Sequence, residues 1–261
     1  MDIRRKTREF LENLTGYSFH KRQTTPGGYY NQDGLWTIHN HEFMAEKPFV
    51  EAYKRGCKAA DDYHWHWRVH IGLWAAYTAC FLDGDYIECG VNRGFLSSAI
   101  MEYLGWNSLS KTFYLLDTFA GLDKNYLSDE EVATGILNRN KNYIRSGFYT
   151  ENFEDVQTNF SEWNNVEIIK GSIPETLPLV GAEKVAFLHL DLNCTKPEVV
   201  AFNFFWDRLV PGAIILLDDY AQRLFRPQKI GLDAIAQEKG VRIASLPTGQ
   251  GLVIKPPQKI L

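Results

Sequence analysis

Three aspartates at the ends of two apolar segments are the residues of this chain best placed to do chemistry together. Asp191 follows the apolar run 185–190, and Asp218 and Asp219 follow a second run at 213–217. Carboxylates that lie close together repel one another, so such a cluster needs a cation, protons or basic neighbours. Three carboxylates suit Mg²⁺ better than Zn²⁺, because a hard cation prefers oxygen ligands and tolerates retained water. The alternative for the adjacent pair Asp218-Asp219 is a helix cap or an ion-paired turn.

The residues between the two runs indicate how the aspartates are brought together. Positions 198–209 have the pattern of an amphipathic helix, which Pro211-Gly212 would close. A strand, a crossover helix and a second strand form a parallel βαβ unit. Both strands of such a unit end at the same edge of the sheet, where open α/β folds bind ligands. We therefore expect the three carboxylates to meet at this edge.

One polar residue lies close enough to Asp191 to share its chemistry. His189 lies two residues before Asp191, on the same face of the strand. A histidine there is a candidate for a role near the site, although a buried, hydrogen-bonded core histidine is the commoner role.

A glycine-containing loop lies between a predicted strand at 86–89 and a predicted helix at about 95–104. Gly90 permits a tight turn, and Gly94 permits a close approach of helix to sheet or ligand. Dinucleotide loops favour G-x-G-x-x-G without a preceding acid, whereas this loop has an acid before it and lacks the middle glycine. A carboxylate here suits a cofactor with an ammonium group and no phosphates, such as S-adenosylmethionine. The loop residues expected at the cofactor are Glu88, Cys89, Gly90, Asn92 and Gly94.

Three further residues stand at or after the ends of the second and third predicted strands. Asp117 is placed to accept hydrogen bonds from ribose hydroxyls, or to cap a turn. Phe119 would pack on an adenine or in the core, and Ser172 lies where the adenine edge is expected. Their occurrence at successive strand ends favours a cofactor site, to which Asp191 would also contribute.

The order of the elements predicts the fold. Five βα units followed by a terminal hairpin at 241–246 and 251–255 indicate an α/β protein. We expect a Rossmann-like, doubly wound sheet that is mostly parallel, with an antiparallel strand in the C-terminal hairpin. Residues 1–82 would form an N-terminal helical cap or lid on a core at 83–261. The long polar segment 120–150 is a second candidate lid.

Composition excludes several classes of function. The net charge of −4 and the absence of a Lys/Arg-rich run argue against nucleic-acid binding. The longest near-apolar run, 71–82, is too short for a membrane span. The four cysteines are scattered without C-x-x-C spacing, which favours reduced thiols in a cytoplasmic protein. Aromatic residues in the N-terminal cap favour a homodimer.

Six motifs resemble those of the macrocin O-methyltransferase (TylF-like) family. The family comprises Mg²⁺- and S-adenosylmethionine-dependent enzymes that methylate sugar hydroxyls of macrolide and aminocoumarin antibiotics. The resemblance covers roughly residues 65–256 and rests on the motifs ECGVNRG (88–94), LDTFAGL (116–122), GSIPETL (171–177), LHLD (188–191), RLVPG (208–212) and LDDY (217–220).

The resemblance implies a role for each motif. Glu88, Gly90 and Gly94 would line the methionine part of the cofactor, Asp117 would hold the ribose, and Ser172 would lie by the adenine. The metal ligands would be Asp191, Asp218 and Asp219. The antibiotic sugar enzymes typically carry a second acid, a candidate base, where this chain has Asn193. An asparagine can ligate or orient, but it cannot accept a proton. With this resemblance, the predicted catalytic residues are Asp191, Asn193 and His189.

The hypothesis from the sequence is therefore methyl transfer from S-adenosylmethionine, with Mg²⁺, to a hydroxyl of a small molecule. One alternative is an NAD-linked sugar oxidoreductase or epimerase on the same fold. That chemistry needs a Tyr-x-x-x-Lys pair, and Tyr220 is followed by Leu224 instead. The other alternative is a cofactor-binding scaffold whose chemistry has lapsed, which Asn193 favours.

Overall fold

A computed structural model describes residues 29–257 and, before them, positions 7, 10, 11, 14 and 15. The chain divides into two compact units, Met1–Glu42 and Phe43–Leu261. The helix expected at about 5–17 lies mostly outside the described residues, although its five described positions are helical. Two complete α-helices before the sheet, Lys47–Ala59 and His66–Ala79, fall within the larger unit. A cap at 1–82 that acts on a core at 83–261 stays a prediction.

The smaller unit contains a short antiparallel hairpin. Strands β1 (Tyr30–Gln32) and β2 (Leu35–Thr37) pair through Asn31 and Trp36. Asp33 and Gly34 have φ values of 51° and 70°. Positive φ at both central residues is the geometry that an Asp-Gly turn provides for a two-residue hairpin. The sequence showed no periodicity here because each strand is only three residues long.

A seven-stranded sheet organises the larger unit, and the predicted α/β, Rossmann-like fold is confirmed. The strand order is β5-β4-β3-β6-β7-β9-β8, with β3 to β7 mutually parallel and β9 antiparallel to its neighbours β7 and β8. The order reverses between β3 and β6, which is where open α/β sheets bind ligands. The strands are β3 (Asp85–Cys89), β4 (Phe113–Asp117), β5 (Val166–Lys170), β6 (Val185–Leu190), β7 (Leu209–Leu217), β8 (Ala244–Ser245) and β9 (Gly251–Ile254).

Helices cover both faces of this sheet, because the central strands bury side chains on each side. The helices of the larger unit are α1 (Lys47–Ala59), α2 (His66–Ala79), α3 (Phe95–Leu104), α4 (Asp129–Ala133), α5 (Ile136–Arg145), α6 (Phe153–Phe160), α7 (Thr195–Trp206) and α8 (Arg226–Glu238). One core joins Tyr86, Phe187 and Leu216 to α1, α2, α3 and α6. The other joins Ile87 and Leu188 to α7 and α8.

The crossover between β6 and β7 differs in detail from the prediction. Helix α7 begins and ends three residues earlier than the expected 198–209, and Pro211-Gly212 lies inside β7 instead of before it. The pairing of β6 with β7 shifts register between Val185 and Phe187. Gly212, at φ 86°, donates to the carbonyl of Lys255, so the Pro-Gly pair forms an irregularity within a strand. A Pro-Gly pair at a strand irregularity and one at a turn look alike in sequence.

The 120–150 segment folds into two short helices, α4 and α5. Ser128 and Glu131 form a reciprocal capping box that starts α4. The other carboxylate oxygen of Glu131 accepts from the backbone N–H of Thr195 at 2.7 Å and from its hydroxyl at 2.6 Å. The segment is thereby attached to the start of α7, next to the carboxyl edge of the sheet.

No helix among the described residues is long and apolar enough to cross a membrane. The cysteines Cys57, Cys80, Cys89 and Cys194 form no disulfide in the described part of the chain. The cytoplasmic location and the homodimer stay predictions.

Candidate active site

Strand register brings the three aspartates to one point of the sheet. Leu190 of β6 lies opposite Leu217 of β7, so Asp191 and Asp218 leave adjacent strands at the same level. The backbone N–H of Asp218 donates to the carbonyl of Leu190 at 2.9 Å. Carboxylate oxygens of Asp191, Asp218 and Asp219 lie within 4.8 Å of one another. We refer to these three residues as the acid cluster.

Asp218 is surrounded by donors from distant parts of the chain. Nη1 of Arg68, in α2, lies 2.5 Å from Asp218 Oδ2, and Nε2 of Gln250 donates to Oδ1 at 3.1 Å. Nε2 of His189 lies 3.7 Å from the same Oδ1. Burial would raise the pKa of Asp218, but the Arg68 charge and the His189 contact outweigh it and lower that pKa below its usual range. Asp218 therefore stays ionised.

Asp191 has the opposite environment. Its Oδ1 accepts from Nδ2 of Asn193 at 2.9 Å. Burial and the neighbouring carboxylates of Asp218 and Asp219 raise the pKa of Asp191 well above its usual range. Arg68 and His189, which both lie beside Asp218, do not offset this repulsion at Asp191, so the cluster has room for further positive charge. Its hard oxygen donors fit Mg²⁺.

A buried polar chain connects the acid cluster to the strand before the cofactor loop. Glu88 lies opposite His189 in the pairing of β3 with β6. Its Oε1 lies 2.9 Å from Nδ1 of His189, and its Oε2 accepts from the hydroxyl of Ser97. Burial lowers the pKa of His189, but the carboxylates of Asp218 and Glu88 more than offset this and raise it to about 10. Both ring nitrogens of His189 thus face carboxylates.

The cofactor loop passes directly over the end of β6. The backbone N–H of Asp191 donates to the carbonyl of Cys89 at 2.8 Å. A Cβ on Gly90, which has φ 94°, would lie 1.9 Å from the carbonyl oxygen of Asp191. Only glycine allows this approach. The acid cluster and the loop are therefore two parts of one site.

The Asp117 carboxylate organises the loop from the end of β4. Its Oδ2 accepts from the N–H groups of Val91 at 2.7 Å and Asn92 at 2.8 Å. Its Oδ1 accepts from the N–H of Phe119 at 2.7 Å. Ionised carboxylate oxygens can each accept more than one hydrogen bond, so these contacts leave capacity for a ligand hydroxyl.

Asn92 joins the loop to the segment that follows α5. Its Nδ2 donates to the carbonyl of Phe148 at 2.9 Å, and its Oδ1 accepts from the N–H of Thr150 at 2.9 Å. Arg93 adds two bonds to the carbonyl of Gly147, the shorter at 2.7 Å. Both polar ends of the Asn92 side chain are therefore bound to protein.

The remaining predicted cofactor residues lie around the same edge. Phe119 is buried and packs against Phe153, with ring centroids 5.1 Å apart. Ser172 donates to Asp123 Oδ2 at 2.7 Å. Cys89 is fully buried, and a Cβ on Gly94 would lie 2.3 Å from the Phe160 ring. Cys89 and Gly94 thus contribute packing and backbone geometry.

Three residues at this edge were missed by the sequence reasoning. Arg68 and Gln250 contact Asp218 from α2 and from the β8–β9 turn. Tyr149 lies in sequence between Phe148 and Thr150, the two residues that bind the Asn92 side chain. Burial and the charges of Asp191, Asp219 and Asp117 raise the pKa of its phenol. The Tyr149 phenol is therefore within electrostatic range of the acid cluster. Of these three residues, only Arg68 could have been found from the sequence, because it is a charged residue within an otherwise apolar stripe of a helix.

Residues 77–230 match the family model of macrocin O-methyltransferase (TylF). The match covers more than half of the chain and spans the loop, Asp117 and the whole acid cluster. The chain belongs to this family.

Two curated relatives and one solved structure illustrate the similarity. The chain is 25% identical to mycinamicin III 3''-O-methyltransferase of Micromonospora griseorubida over 53% of this chain and 56% of the relative. It is also 25% identical to a tetracenomycin-C rhamnosyl 4'-O-methyltransferase of Streptomyces olivaceus, over 54% of each. The chain thus spans about half the length of these relatives. The structure of the O-methyltransferase NovP superposes with a TM-score of 0.62 at 17% identity, covering 72% of this chain and 79% of NovP.

Proposed function

We propose that this macrocin O-methyltransferase family member transfers a methyl group from S-adenosylmethionine to a hydroxyl of a small-molecule natural product. We further propose that its acid cluster holds Mg²⁺. The observation that carries the proposal is the direct backbone connection between the acid cluster and the cofactor loop, through Asp191 N–H and Cys89 C=O at 2.8 Å. That connection supports a donor and an acceptor held side by side.

Asp191, Asp218 and Asp219 would hold the cation. Their uncompensated charge, seen in the raised pKa of Asp191, supports cation binding. Bound Mg²⁺ would supply a Lewis acid that lowers the pKa of the acceptor hydroxyl. The cluster itself would fix the direction from which the acceptor approaches the methyl donor.

The cofactor would lie over the loop between β3 and α3. Asp117 would accept hydrogen bonds from the ribose while it holds the loop backbone, and Ser172 and Phe119 would flank the adenine. The Glu88 carboxylate is buried, accepts a hydrogen bond from Ser97 and contacts the ring of His189. We propose that Glu88 acts on the methionine ammonium mainly through its negative charge at the loop.

Among the predicted catalytic residues, Asp191 is the proposed proton acceptor. Asn193 donates to Asp191 at 2.9 Å, which supports an orienting role. His189 is buried between two carboxylates, which supports a role in holding Glu88 and Asp218 in place. We propose that neither Asn193 nor His189 takes the acceptor's proton.

Calorimetry and turnover together test the proposal. S-adenosylmethionine and NAD would be titrated into the protein with and without Mg²⁺, followed by methyl-transfer assays on glycosylated natural products that include mycinamicin III. We expect S-adenosylmethionine and Mg²⁺ to bind. We expect Asp219→Asn to weaken Mg²⁺ binding by at least about tenfold, because it removes one charged ligand. Asp83→Asn, whose carboxylate is exposed and pairs with Lys184, is the matched control. Binding of NAD without S-adenosylmethionine would overturn the proposal.

A lapsed scaffold is the second candidate, and Asn193 favours it. An amide in place of the relatives' second acid leaves one fewer proton acceptor. A scaffold would bind S-adenosylmethionine with no turnover on any acceptor. Turnover that disappears in Asp191→Asn but persists in Asn193→Asp would support the enzyme.

A further inference from the structure

We infer that Arg68 is a built-in countercharge of the acid cluster and sets how tightly the cluster binds a divalent cation. The inference rests on the proposed function, because it concerns the same three carboxylates. It assigns to a helix outside the family's sequence motifs a direct part in controlling metal affinity.

The position of the guanidinium carries the inference. Arg68 is 5% exposed, and its Nη1 lies 2.5 Å from Asp218 Oδ2 and 3.6 Å from Asp219 Oδ1. The same nitrogen donates to the Asp218 carbonyl at 3.0 Å. One guanidinium nitrogen thus contacts two of the three proposed metal ligands.

Other contacts anchor the guanidinium at this position. Its Nη2 donates to the carbonyl of Thr248 at 3.4 Å, in the turn between β8 and β9. Its central carbon lies 5.7 Å from the ring centroid of Trp65, within range of a cation–π interaction. An arginine side chain stays charged at every pH at which the protein is folded. The cluster therefore always has one fixed positive charge beside it.

This charge has two opposing effects. Without a cation, it offsets part of the repulsion among the carboxylates and holds Asp218 in position. A bound cation would be repelled by the same charge and would compete with Arg68 for the Asp218 carboxylate. Coulomb interactions over a few ångströms in a buried site are large, so the repulsion weakens cation binding. Arg68 therefore weakens metal binding, while it holds the Asp218 carboxylate in position in the metal-free site.

The test replaces the charge and titrates the metal alone. Arg68→Met keeps an unbranched side chain without charge, and Arg68→Lys keeps the charge. Arg55→Met is the matched control, because Arg55 is also buried but pairs with Glu162 at 2.7 Å, on the α6 side of the molecule. MgCl₂ and MnCl₂ would be titrated by calorimetry, and unfolding temperatures measured with and without each salt.

We expect Arg68→Met to bind Mg²⁺ at least about tenfold more tightly than wild type, and to unfold at a lower temperature without metal. Arg68→Lys should bind within about threefold of wild type, and Arg55→Met should leave metal affinity unchanged. If Arg68→Met does not fold, Arg68→Gln, which keeps a donor without the charge, should show the same tightening.

Equal or weaker metal binding by the uncharged variants would overturn the inference and leave Arg68 as an anchor for Asp218. If neither wild type nor variant binds either cation, the inference and the metal part of the proposed function both fail. S-adenosylmethionine binding by wild type would then show that the methyltransferase part stands. Failure of the two proposals is therefore distinguishable.

Discussion

At the scale of single residues, the acid cluster is asymmetric. Asp218 is held by Arg68, Gln250 and His189, whereas Asp191 accepts from Asn193 and is repelled by its neighbours. The candidate acids themselves could be identified from the sequence, because each one ends an apolar run. Their individual environments could not, since these depend on side chains far away in the chain.

The repulsion at Asp191 predicts a stabilising substitution. Asp191→Asn keeps an oxygen for the Asn193 amide and removes one charge from the cluster. We expect the metal-free protein to unfold at a temperature at least about 3 °C higher than wild type. Saturating Mg²⁺ should reverse the order, because the variant loses a charged ligand. Thermal unfolding with Asp83→Asn as control measures this, and a lower unfolding temperature for the metal-free variant would contradict it.

Tyr149 offers a second prediction at this scale. Burial, followed by the charges of Asp191 and Asp219, raises the pKa of its phenol, which indicates a hydroxyl within electrostatic range of the proposed acceptor site. Tyr149→Phe should lower kcat/KM for the acceptor by about tenfold, the effect of one lost hydrogen bond in a buried site. Cofactor affinity should stay unchanged. Tyr143→Phe, on the same segment and 5.3 Å away between ring centroids, is the control, and an equal effect there would rule out a specific role.

At the scale of elements, the site depends on a close crossing of the cofactor loop and β6. Gly90 and Gly135 both have positive φ, 94° and 79°, but only a Cβ on Gly90 would meet another atom, the Asp191 oxygen at 1.9 Å. No neighbouring atom lies within 4 Å of a Cβ added at Gly135. A comparison of alanine at Gly90 with alanine at Gly135 therefore distinguishes the cost of backbone strain from the cost of steric overlap.

Gly90→Ala and Gly135→Ala should lower the free energy of unfolding by different amounts. Gly135→Ala should destabilise by about 1–2 kcal/mol through its left-handed backbone alone. Gly90→Ala should cost about 1–3 kcal/mol more, because either the loop or β6 must shift. Urea unfolding of both variants measures the difference, and S-adenosylmethionine affinity should fall only in Gly90→Ala. Equal destabilisation would show that the crossing is not tight.

Strand positions were predictable at this scale, but the details of the crossover were not. The run at 185–190 matches β6 because a strand that is buried on both faces is apolar and short. Helix α7 and the Pro-Gly irregularity in β7 were misplaced by a few residues. Their limits depend on register with β6 and on the bond from Gly212 to Lys255.

At the scale of the whole molecule, the stability of the fold should depend on a buried acid. Glu198, in α7, is 1% exposed and accepts from the N–H of Leu192 at 3.0 Å and from Gln228. Burial is the largest influence and raises the pKa of Glu198 to about 8. The folded protein therefore keeps this proton at pH values where the unfolded chain has lost it.

The sign of the pH dependence follows from this difference. Between the usual glutamate pKa and about pH 8, the unfolded state binds fewer protons, so wild-type stability falls as pH rises. The contribution of this one group is at most about 1.4 kcal/mol per pH unit. Glu198→Gln should lose that slope. Urea unfolding from pH 5 to pH 8 measures it, with exposed Glu238→Gln as control. Parallel profiles for wild type and Glu198→Gln would contradict the prediction.

The sequence by itself determined the α/β fold, the order of its strands along the chain and the set of candidate ligands. These are local properties, because an apolar run that ends in an acid or a glycine loop is visible within a few residues. Only the tertiary structure decided the partners of those ligands. Arg68 lies 150 positions from Asp218, and Gln250 lies 32 positions away. No local pattern relates such residues, since packing of α2 and of the C-terminal hairpin around the sheet brings them together.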